Sequence, residues 1–381
     1  MRALFSKEHE IFKQSLRKFL EKEAIPFYEE WEKEGIIPRK FWNKLGEQGF
    51  LCPWVAEEYG GFGADFLYSA IINEELERVG SSLIGVGLHN DIVTPYLNRY
   101  GTEEQKKKWL SKCVTGEAIS AIAMTEPGAG SDLQALKTTA IKKGDHYVLN
   151  GEKTFITNGI HADIIIVACK TNPKAIPAYR GISLLVVERE TIGFKRGKQL
   201  KKVGMHAQDT AELIFEDAIV PASHLLGEEG KGFYYLMEQL QQERLIVAIA
   251  AQAAIEEILK ITKAYVLERK AFGQTISQFQ HTQFQLVELE TKKEVSRSFL
   301  HECICEHIEG NDVVTKVSMA KWWATDLLKE AASICMHLHG GYGYMEEYEI
   351  ARRFRDAQVP AIYAGTNEIM KTIIAKNLGL A

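Results

Sequence analysis

The feature that most constrains the fold is a hydrophobic period that changes twice along the chain. Apolar residues recur at helical spacing up to about residue 118, alternate in short β-branched segments up to about residue 228, and then return to helical spacing. We therefore predict a mostly α fold with a β insert. The predicted parts are an N-terminal helical domain at 1–118, a middle antiparallel β-barrel domain at 119–228 and a C-terminal four-helix bundle domain at 229–381.

Local signals place the elements inside each block. The first block has capping signals at Ser6 and Thr102, and its segment 80–100 is the least amphipathic, which predicts a helix enclosed on most sides. Strands are predicted at 119–124, 138–141, 146–150, 153–157, 164–169, 182–187 and 211–215, with turn signals at 143–145 and at Asn150-Gly151. Helices of the last block are predicted at 232–270, 278–308, 312–339 and 367–377.

Composition excludes several classes of protein. The 381 residues are 46% apolar and 25% charged with a net charge of −5, so no basic excess favours nucleic acid or an anionic membrane. Six scattered cysteines without a Cys-x-x-Cys pair predict reduced thiols and no metal site. No targeting peptide and no membrane-spanning run are visible, so we expect a cytoplasmic protein of bacterial type.

One carboxylate in the last block needs an explanation. Glu243 has Leu240 and Val247 one turn to either side, so its side chain is predicted to lie on an apolar helix face. Burying a carboxylate there is costly without a partner or a function. Two interpretations remain open from the pattern alone: an ion pair with a neighbouring helix, or a general base with a raised pKa.

Five motifs follow one another in a specific order. They are 124–132 (MTEPGAGSD), 151–158 (GEKTFITN), 268–273 (ERKAFG), 339–344 (HGGYGY) and 362–368 (IYAGTNE). Their order and spacing resemble the acyl-CoA dehydrogenase family over essentially the whole chain. Segments 232–235 (GFYY) and 242–245 (QERL) further resemble its long-chain branch.

The resemblance implies a homotetramer with one FAD per subunit and an acyl-CoA substrate. In that family a base removes the α-proton while the β-hydrogen leaves as hydride to flavin N5, which gives a trans-2-enoyl-CoA. It also implies a place in fatty acid β-oxidation, with an electron-transfer flavoprotein as electron acceptor.

By resemblance, the FAD contacts come from every block of the chain. They are Ile122, Ala123, Met124, Thr125, Gly130, Ser131, Phe155, Ile156, Thr157, Arg269, Phe272, Gln280, His337, Leu338, His339, Gly340, Gly341, Thr366, Asn367 and Glu368. Arg269 and Gln280 resemble residues that reach FAD from a neighbouring subunit, and the Arg fork suits a pyrophosphate. Two positions depart from the family pattern: His337 replaces the usual Gln, and Phe155 stands where many relatives have Trp.

A third departure locates the base. Many family members carry the catalytic Glu directly before Gly-Thr, where this chain has Ala364, whereas the long-chain and isovaleryl branches carry it at the position of Glu243. The resemblance therefore favours Glu243 as the catalytic base. It implies that the N–H of Ala364 binds the thioester carbonyl. The substrate contacts implied by the resemblance are Ser131, Tyr179, Arg180, Tyr234, Gln241, Gln242, Glu243, Arg244, Ala364 and Gly365.

Three alternatives remain beside a long straight-chain dehydrogenase. A branched short-chain dehydrogenase of isovaleryl type would share the same base position. A flavin oxidase or monooxygenase of the same fold would pass electrons to oxygen. A catalytically silent binding or assembly protein is suggested by Ala364 alone, but Glu243 argues against it.

Overall fold

The computed structural model describes residues 4–380. Residues 1–3 of the predicted N-terminal domain and residue 381 of the predicted C-terminal domain lie outside this range. The first part is helical, as predicted. α1 begins after Ser6, whose hydroxyl accepts a hydrogen bond from the N–H of His9 in a capping box. The helices are α1 Lys7–Glu23, α2 Tyr28–Glu34, α3 Arg39–Glu47, α4 Phe66–Val79, α5 Ile84–Gly87, α6 Thr94–Tyr100, α7 Glu103–Gln105 and α8 Ser111–Thr115.

α5 and α6 form one continuous helix at 84–100, because a π-helical turn, Leu88–Val93, joins them. Most residues of this helix are buried, as its lack of amphipathicity predicts. The polar side chains of the π turn have partners inside the protein: Asn73 donates to Asp91 at 2.7 Å, and the side chain of Asn90 donates to the carbonyl of Phe50 at 3.0 Å. Helical segments of this type often occur beside functional sites.

The middle part is a mixed sheet, not the predicted antiparallel barrel. Its strands are β1 Ser120–Ala123, β2 Thr139–Lys143, β3 His146–Thr157, β4 Ile164–Lys170, β5 Ile182–Glu188, β6 Phe194–Gln199, β7 Thr210–Pro221 and β8 Leu225–Leu226. They pair in the order β6-β7-β3-β2-β4-β5-β8, while β1 pairs with β4. The β1–β4 and β2–β4 pairs are parallel, and the pairing path ends at β6 and β8 instead of closing. Alternation in a sequence shows that a strand forms but not the direction of its neighbour.

Two local predictions in the sheet were also wrong. Asn150-Gly151 is not a hairpin turn, because β3 runs through it as one strand of 12 residues. Gly151 has a φ of +145° at a shift in the β3–β7 register, and a Cβ there would lie 2.5 Å from Oγ1 of Thr138, so the glycine permits a bulge. β6 was missed because three of its six residues are cationic (FKRGKQ), which hides the alternation.

The last part contains the four predicted helices within a few residues of their predicted ends. The elements are α9 Gly232–Glu268, β9 Lys270–Ala271, β10 Gln274–Thr275, α10 Gln280–Ile308, α11 Val314–Leu338, α12 Glu349–Asp356 and α13 Asn367–Asn377. The short helix α12 was not predicted. One apolar core joins α9, α10 and α11 and reaches Leu67 and Ala70 of α4. The first and last parts therefore share a core, with α9 between them.

Within residues 4–380, we find no helix with the length and apolar character needed to span a bilayer.

Candidate active site

Glu243 lies in the middle of α9 with only 3% of its surface exposed. Tyr96 of α6 donates a hydrogen bond of 2.8 Å to its Oε1. Burial raises the pKa of Glu243 to about 7, although the Tyr96 hydrogen bond and the charge of Arg244 act in the opposite direction. Among residues 4–380, no cationic side chain lies within 4.0 Å of this carboxylate. The structure thus favours a buried, titratable carboxyl group over the ion pair considered from the sequence.

Tyr96 is a site residue that sequence reasoning missed. Its side chain is fully buried in the apolar cluster that joins helix 84–100 to β1. A phenol buried in this way needs a hydrogen-bond partner, but the sequence does not show which one.

Arg244 connects α9 to the turn that carries Ala364. Its side chain is buried, and its Nε has no hydrogen-bond partner among the described residues. A Cβ added at Gly365 would lie 4.0 Å from Nη2 of Arg244. The two base positions of the resemblance, Glu243 and Ala364, therefore belong to elements that meet in the folded chain.

The turn itself has an unusual backbone. Ala364 has a φ of +53° and Gly365 a φ of +89°. Thr366 caps α13 by accepting a hydrogen bond of 3.3 Å from the N–H of Ile369. Lys321 of α11, which sequence reasoning also missed, donates to the carbonyl of Gly365 at 2.8 Å and to Oδ1 of Asn367 at 3.1 Å. These contacts hold the segment that contains five of the predicted site residues, Ala364, Gly365, Thr366, Asn367 and the exposed Glu368.

A buried ion pair shapes the loop after β1. The ammonium of Lys153 donates to Oε1 of Glu126 at 2.8 Å and to the carbonyl of Met124 at 3.0 Å. Glu126 also accepts hydrogen bonds from the N–H groups of Lys137 and Thr138. Lys153 is fully buried inside the motif at 151–158, where its role was not anticipated.

This loop presents open space beside β1. Ile122 and Ala123 are buried in the strand, Met124 and Thr125 are half-buried, and Ser131 is exposed. A Cβ added at Gly128 or Gly130 would meet no atom within 4 Å, so neither glycine is needed for packing inside this chain. This open space leaves room for a ligand to lie against the backbone of the loop.

Phe155 faces outward from β3. It has a φ of +59°, and 67% of its surface is exposed, at a second register shift between Lys153 and Ile156. Ile156 is buried and Thr157 is half-buried. The bulge thus turns a large aromatic ring away from the sheet, two residues after the buried Lys153 on the same strand.

A cavity of about 500 Å³ lies between the end of α9 and the end of α11. It is lined by Tyr265, Arg269, Ile276, Leu338, His339, Gly340, Gly341, Tyr342 and Met345. The imidazole of His339 stacks on Tyr265 at 4.2 Å and bonds to the carbonyl of Cys335 at 2.8 Å. A Cβ at Gly340 or Gly341 would meet nothing within 4 Å. Five of the predicted FAD contacts therefore share one concave surface.

Three other predicted FAD contacts do not line this cavity. His337 and Gln280 are exposed, and Phe272 has 96% of its surface exposed. None of the predicted contacts at 122–131 or 155–157 lines it either. Within a single chain, the predicted FAD residues thus form separate surfaces.

Aromatic rings mark the other predicted substrate contacts. Tyr179 packs on Phe233 and Tyr234 with ring centroids 5.2 and 5.8 Å away, and Nζ of Lys231 lies 5.5 Å from the Tyr234 ring. Arg180 is exposed beside them. The cluster lies at the start of α9, at the boundary with the sheet.

Gln241 and Gln242 bond within the protein. Gln241 accepts a hydrogen bond of 3.3 Å from the N–H of Val313. Gln242 donates to the carbonyl of Asp91 at 2.7 Å. Both side-chain amides therefore already have a hydrogen-bond partner within the chain.

Family models match three consecutive segments of the chain. The N-terminal domain of acyl-CoA dehydrogenase matches residues 6–117, the middle domain matches residues 121–218, and the C-terminal domain matches residues 230–379. The chain belongs to the acyl-CoA dehydrogenase family.

Individual relatives agree with this membership. The rat mitochondrial long-chain specific acyl-CoA dehydrogenase is 49% identical over 378 residues, which cover 99% of this chain and 88% of the relative. The crystal structure of an acyl-CoA dehydrogenase from Geobacillus kaustophilus is 68% identical with a TM-score of 0.98 and covers 98% of both chains. A structure described as an electron transferring flavoprotein of Acidaminococcus fermentans contains a chain that is 38% identical, with a TM-score of 0.94 and 98% coverage of both chains.

FAD is the cofactor of this acyl-CoA dehydrogenase, and the chain has features that fit it. The backbone is open at Gly128 and Gly130 beside β1, and again at Gly340 and Gly341 beside Arg269. Open backbone suits close approach of a flavin or a phosphate, and a guanidinium suits a pyrophosphate.

Proposed function

We propose that Glu243 removes the α-proton of an acyl-CoA thioester in an FAD-dependent dehydrogenation that yields a trans-2-enoyl-CoA. The observation that carries this proposal is a carboxyl group buried in α9, without an ion-pair partner among the described residues, whose pKa burial raises to about 7. A base with a pKa near the working pH is deprotonated in about half of the molecules and still binds a proton well, which suits general base catalysis.

The same site offers groups for the thioester carbonyl. Among residues 4–380, the N–H of Ala364 donates to no acceptor, and Nε of Arg244 is buried without one. A carbonyl that gains negative charge as the α-proton leaves is stabilised by donors held in place beforehand. We assign this binding role to the N–H of Ala364, with Arg244 as the nearby cation.

FAD, when bound, supplies a hydride acceptor for the β-hydrogen. We propose that the loop 124–131 and the strand around Phe155 hold the flavin end of the cofactor. We assign the adenosine and pyrophosphate end to the cavity at Arg269, Gly340 and Gly341. The exposed ring of Phe155 gives the flavin an apolar neighbour.

We propose that two copies of the chain complete each FAD site within a homotetramer. In a single chain, the two predicted FAD surfaces are separate. In addition, α10 exposes Phe284, Val287 and Val295, an apolar face of the kind that is usually covered by another chain. Contact between copies would cover this face and bring Arg269 of one copy to the cofactor of another.

We further propose long straight-chain substrates, as in fatty acid β-oxidation, and an electron-transfer flavoprotein as electron acceptor. The relative named for long-chain substrates supports the first point, and the structure described as an electron transferring flavoprotein supports the second. The enclosed helix 84–100 would form the wall for the acyl tail.

Anaerobic addition of palmitoyl-CoA to the FAD-loaded protein tests the proposal. We expect the yellow flavin colour to bleach, to return slowly in air and to return rapidly with an electron-transfer flavoprotein. Fast return in air alone would indicate an oxidase. Bleaching by isovaleryl-CoA but not by palmitoyl-CoA would indicate a branched-chain enzyme, and no bleaching by any acyl-CoA would contradict the proposed reaction.

A further inference from the structure

We propose that Lys321 is a positioning residue for the reaction: its buried side chain fixes the turn at 364–366 so that the N–H of Ala364 meets the thioester carbonyl. This inference rests on the carbonyl-binding role proposed above for Ala364. Lys321 lies on α11 directly before Trp322 and Trp323, and this position gave no functional signal in the sequence.

The environment of Lys321 is unusual for a lysine. The residue is fully buried, and Nζ donates to the carbonyl of Gly365 at 2.8 Å and to the amide oxygen of Asn367 at 3.1 Å. Among residues 4–380, no carboxylate lies within 4.0 Å of Nζ. A buried ammonium compensated only by neutral oxygens is costly, and such groups concentrate at functional sites.

A second cation lies near this ammonium. Burial and, to a smaller extent, the positive charge of Arg244 together lower the pKa of Lys321 to about 8. Both cations lie near the same turn, since the Arg244 guanidinium of α9 is the neighbour that a Cβ at Gly365 would meet at 4.0 Å, while Lys321 of α11 donates to the Gly365 carbonyl. Mutual repulsion makes this arrangement unfavourable in the free protein, and a developing negative charge at the turn would relieve it.

The turn needs external support. A φ of +53° is unfavourable for alanine because its Cβ crowds the backbone, and such a residue persists only where its surroundings hold it. Lys321 holds the Gly365 carbonyl on one side. On the other side, Asn367 donates to Asp326 at 2.9 Å and Thr366 caps α13. Fixing the Gly365 carbonyl restricts the peptide units that precede it, including the one that contains the N–H of Ala364.

Lys321→Met tests the proposal, because methionine retains most of the length but loses the charge and the donor. The matched control is Ser318→Ala, which removes a fully buried hydroxyl one turn earlier on α11 that, among residues 4–380, donates to the carbonyl of Val314 at 2.7 Å. Both variants are prepared with FAD bound, and kcat and KM are measured with palmitoyl-CoA. Melting temperature and FAD content are measured beside them.

The decisive readout is the acidity of a bound substrate analogue. A 3-thiaacyl-CoA can lose its α-proton but has no β-hydrogen to transfer, so its pKa on the enzyme reports how well the carbonyl is stabilised. For Lys321→Met we expect a higher pKa of the bound analogue and a loss of about 10- to 100-fold in kcat with a smaller change in KM. Ser318→Ala should change neither.

A purely structural role predicts a different result. If Lys321→Met lowered only the melting temperature and left kcat and the analogue pKa at their native values, the inference would be overturned. Should Lys321→Met fail to retain FAD, Lys321→Leu is measured instead, since leucine also lacks both the charge and the donor to Gly365. A native analogue pKa in Lys321→Leu would equally overturn the inference.

The variant Glu243→Gln separates this inference from the proposed function. Native flavin reduction in Glu243→Gln would mean that the proposed function fails. Loss of reduction in Glu243→Gln together with a native kcat in Lys321→Met would mean that only the role of Lys321 fails.

Discussion

The phenol of Tyr96 donates a hydrogen bond of 2.8 Å to the carboxylate of Glu243, although the two residues are 147 positions apart in the chain. This bond favours the ionised carboxylate, while burial in α9 disfavours it more strongly. The first helical part of the chain therefore adjusts the basicity of a group that the last part supplies.

Removal of this hydrogen bond should shift the pH dependence of the reaction. Glu243 accepts a proton only when it is ionised, so kcat/KM should rise with pH through about 7 and then level off. In Tyr96→Phe the pKa of Glu243 should be higher, and the rise should move to higher pH. The control is Tyr100→Phe, whose phenol bonds to Glu238 at 2.6 Å instead. An unchanged profile in Tyr96→Phe would contradict the role of Tyr96.

Glu243→Gln should bind acyl-CoA but reduce flavin at least about 1,000-fold more slowly, because a positioned base usually contributes 10²–10⁴-fold. Rapid mixing with palmitoyl-CoA measures this rate, and equilibrium titration measures the binding. Glu257→Gln is a matched control, as Glu257 is a buried carboxylate on the same helix that pairs with Lys260. Equal loss in both variants would show a general effect on α9 and not the loss of a base.

A carboxylate at position 364 should partly replace Glu243. The elements that carry the two positions meet at Arg244 and Gly365, so Ala364→Glu in a Glu243→Gln background should recover part of the flavin reduction rate. Glu accepts the φ of +53° at a cost similar to that of alanine, whereas proline, with φ near −65°, would disrupt the turn as well as remove the N–H. Ala364→Gln in the same background is the control. No difference between Glu and Gln at this position would contradict the shared site.

Leu88→Trp should shorten the preferred acyl chain. Leu88 is half-buried in the π turn and, like Phe233, packs on the buried cluster that contains Ile122. A larger ring there would fill space assigned to the acyl tail, so kcat/KM should fall more for stearoyl-CoA than for octanoyl-CoA. The volume-conserving change Leu88→Met should leave the profile as it is. If Leu88→Trp kept the chain-length dependence of the native protein, the proposal that helix 84–100 contacts the acyl tail would be contradicted.

Arg269→Ala should weaken FAD binding and subunit association together. Arg269 is exposed, lines the cavity with Gly340 and Gly341, and stacks over Tyr342 at 5.3 Å. Fluorescence titration measures FAD affinity, and sedimentation measures the oligomeric state. Lys270→Ala, at the neighbouring exposed residue, is the control. FAD affinity equal to that of the native protein in Arg269→Ala would remove Arg269 from the proposed FAD site.

Sequence alone determined the elements whose signals are local. Helices such as α9 and α11 follow from apolar residues repeated at helical spacing, and the predicted ends of these two lie within two residues of the observed ones. The family also follows from sequence, because its motifs are short contiguous segments that keep their order. Glu243 became the candidate base in the same way, through the combination of an apolar helix face and an alanine at position 364.

Tertiary structure decided what depends on distant partners. The parallel direction of β1 beside β4, the bond from Tyr96 to Glu243 and the bond from Lys321 to Gly365 each join residues 44 or more positions apart. The sequence also did not show the partner of Lys153. Its pairing with Glu126 explains why this lysine of the 151–158 motif is fully buried. Hydrophobic periodicity indicates which face of an element is buried, but it does not indicate which atom that face contacts.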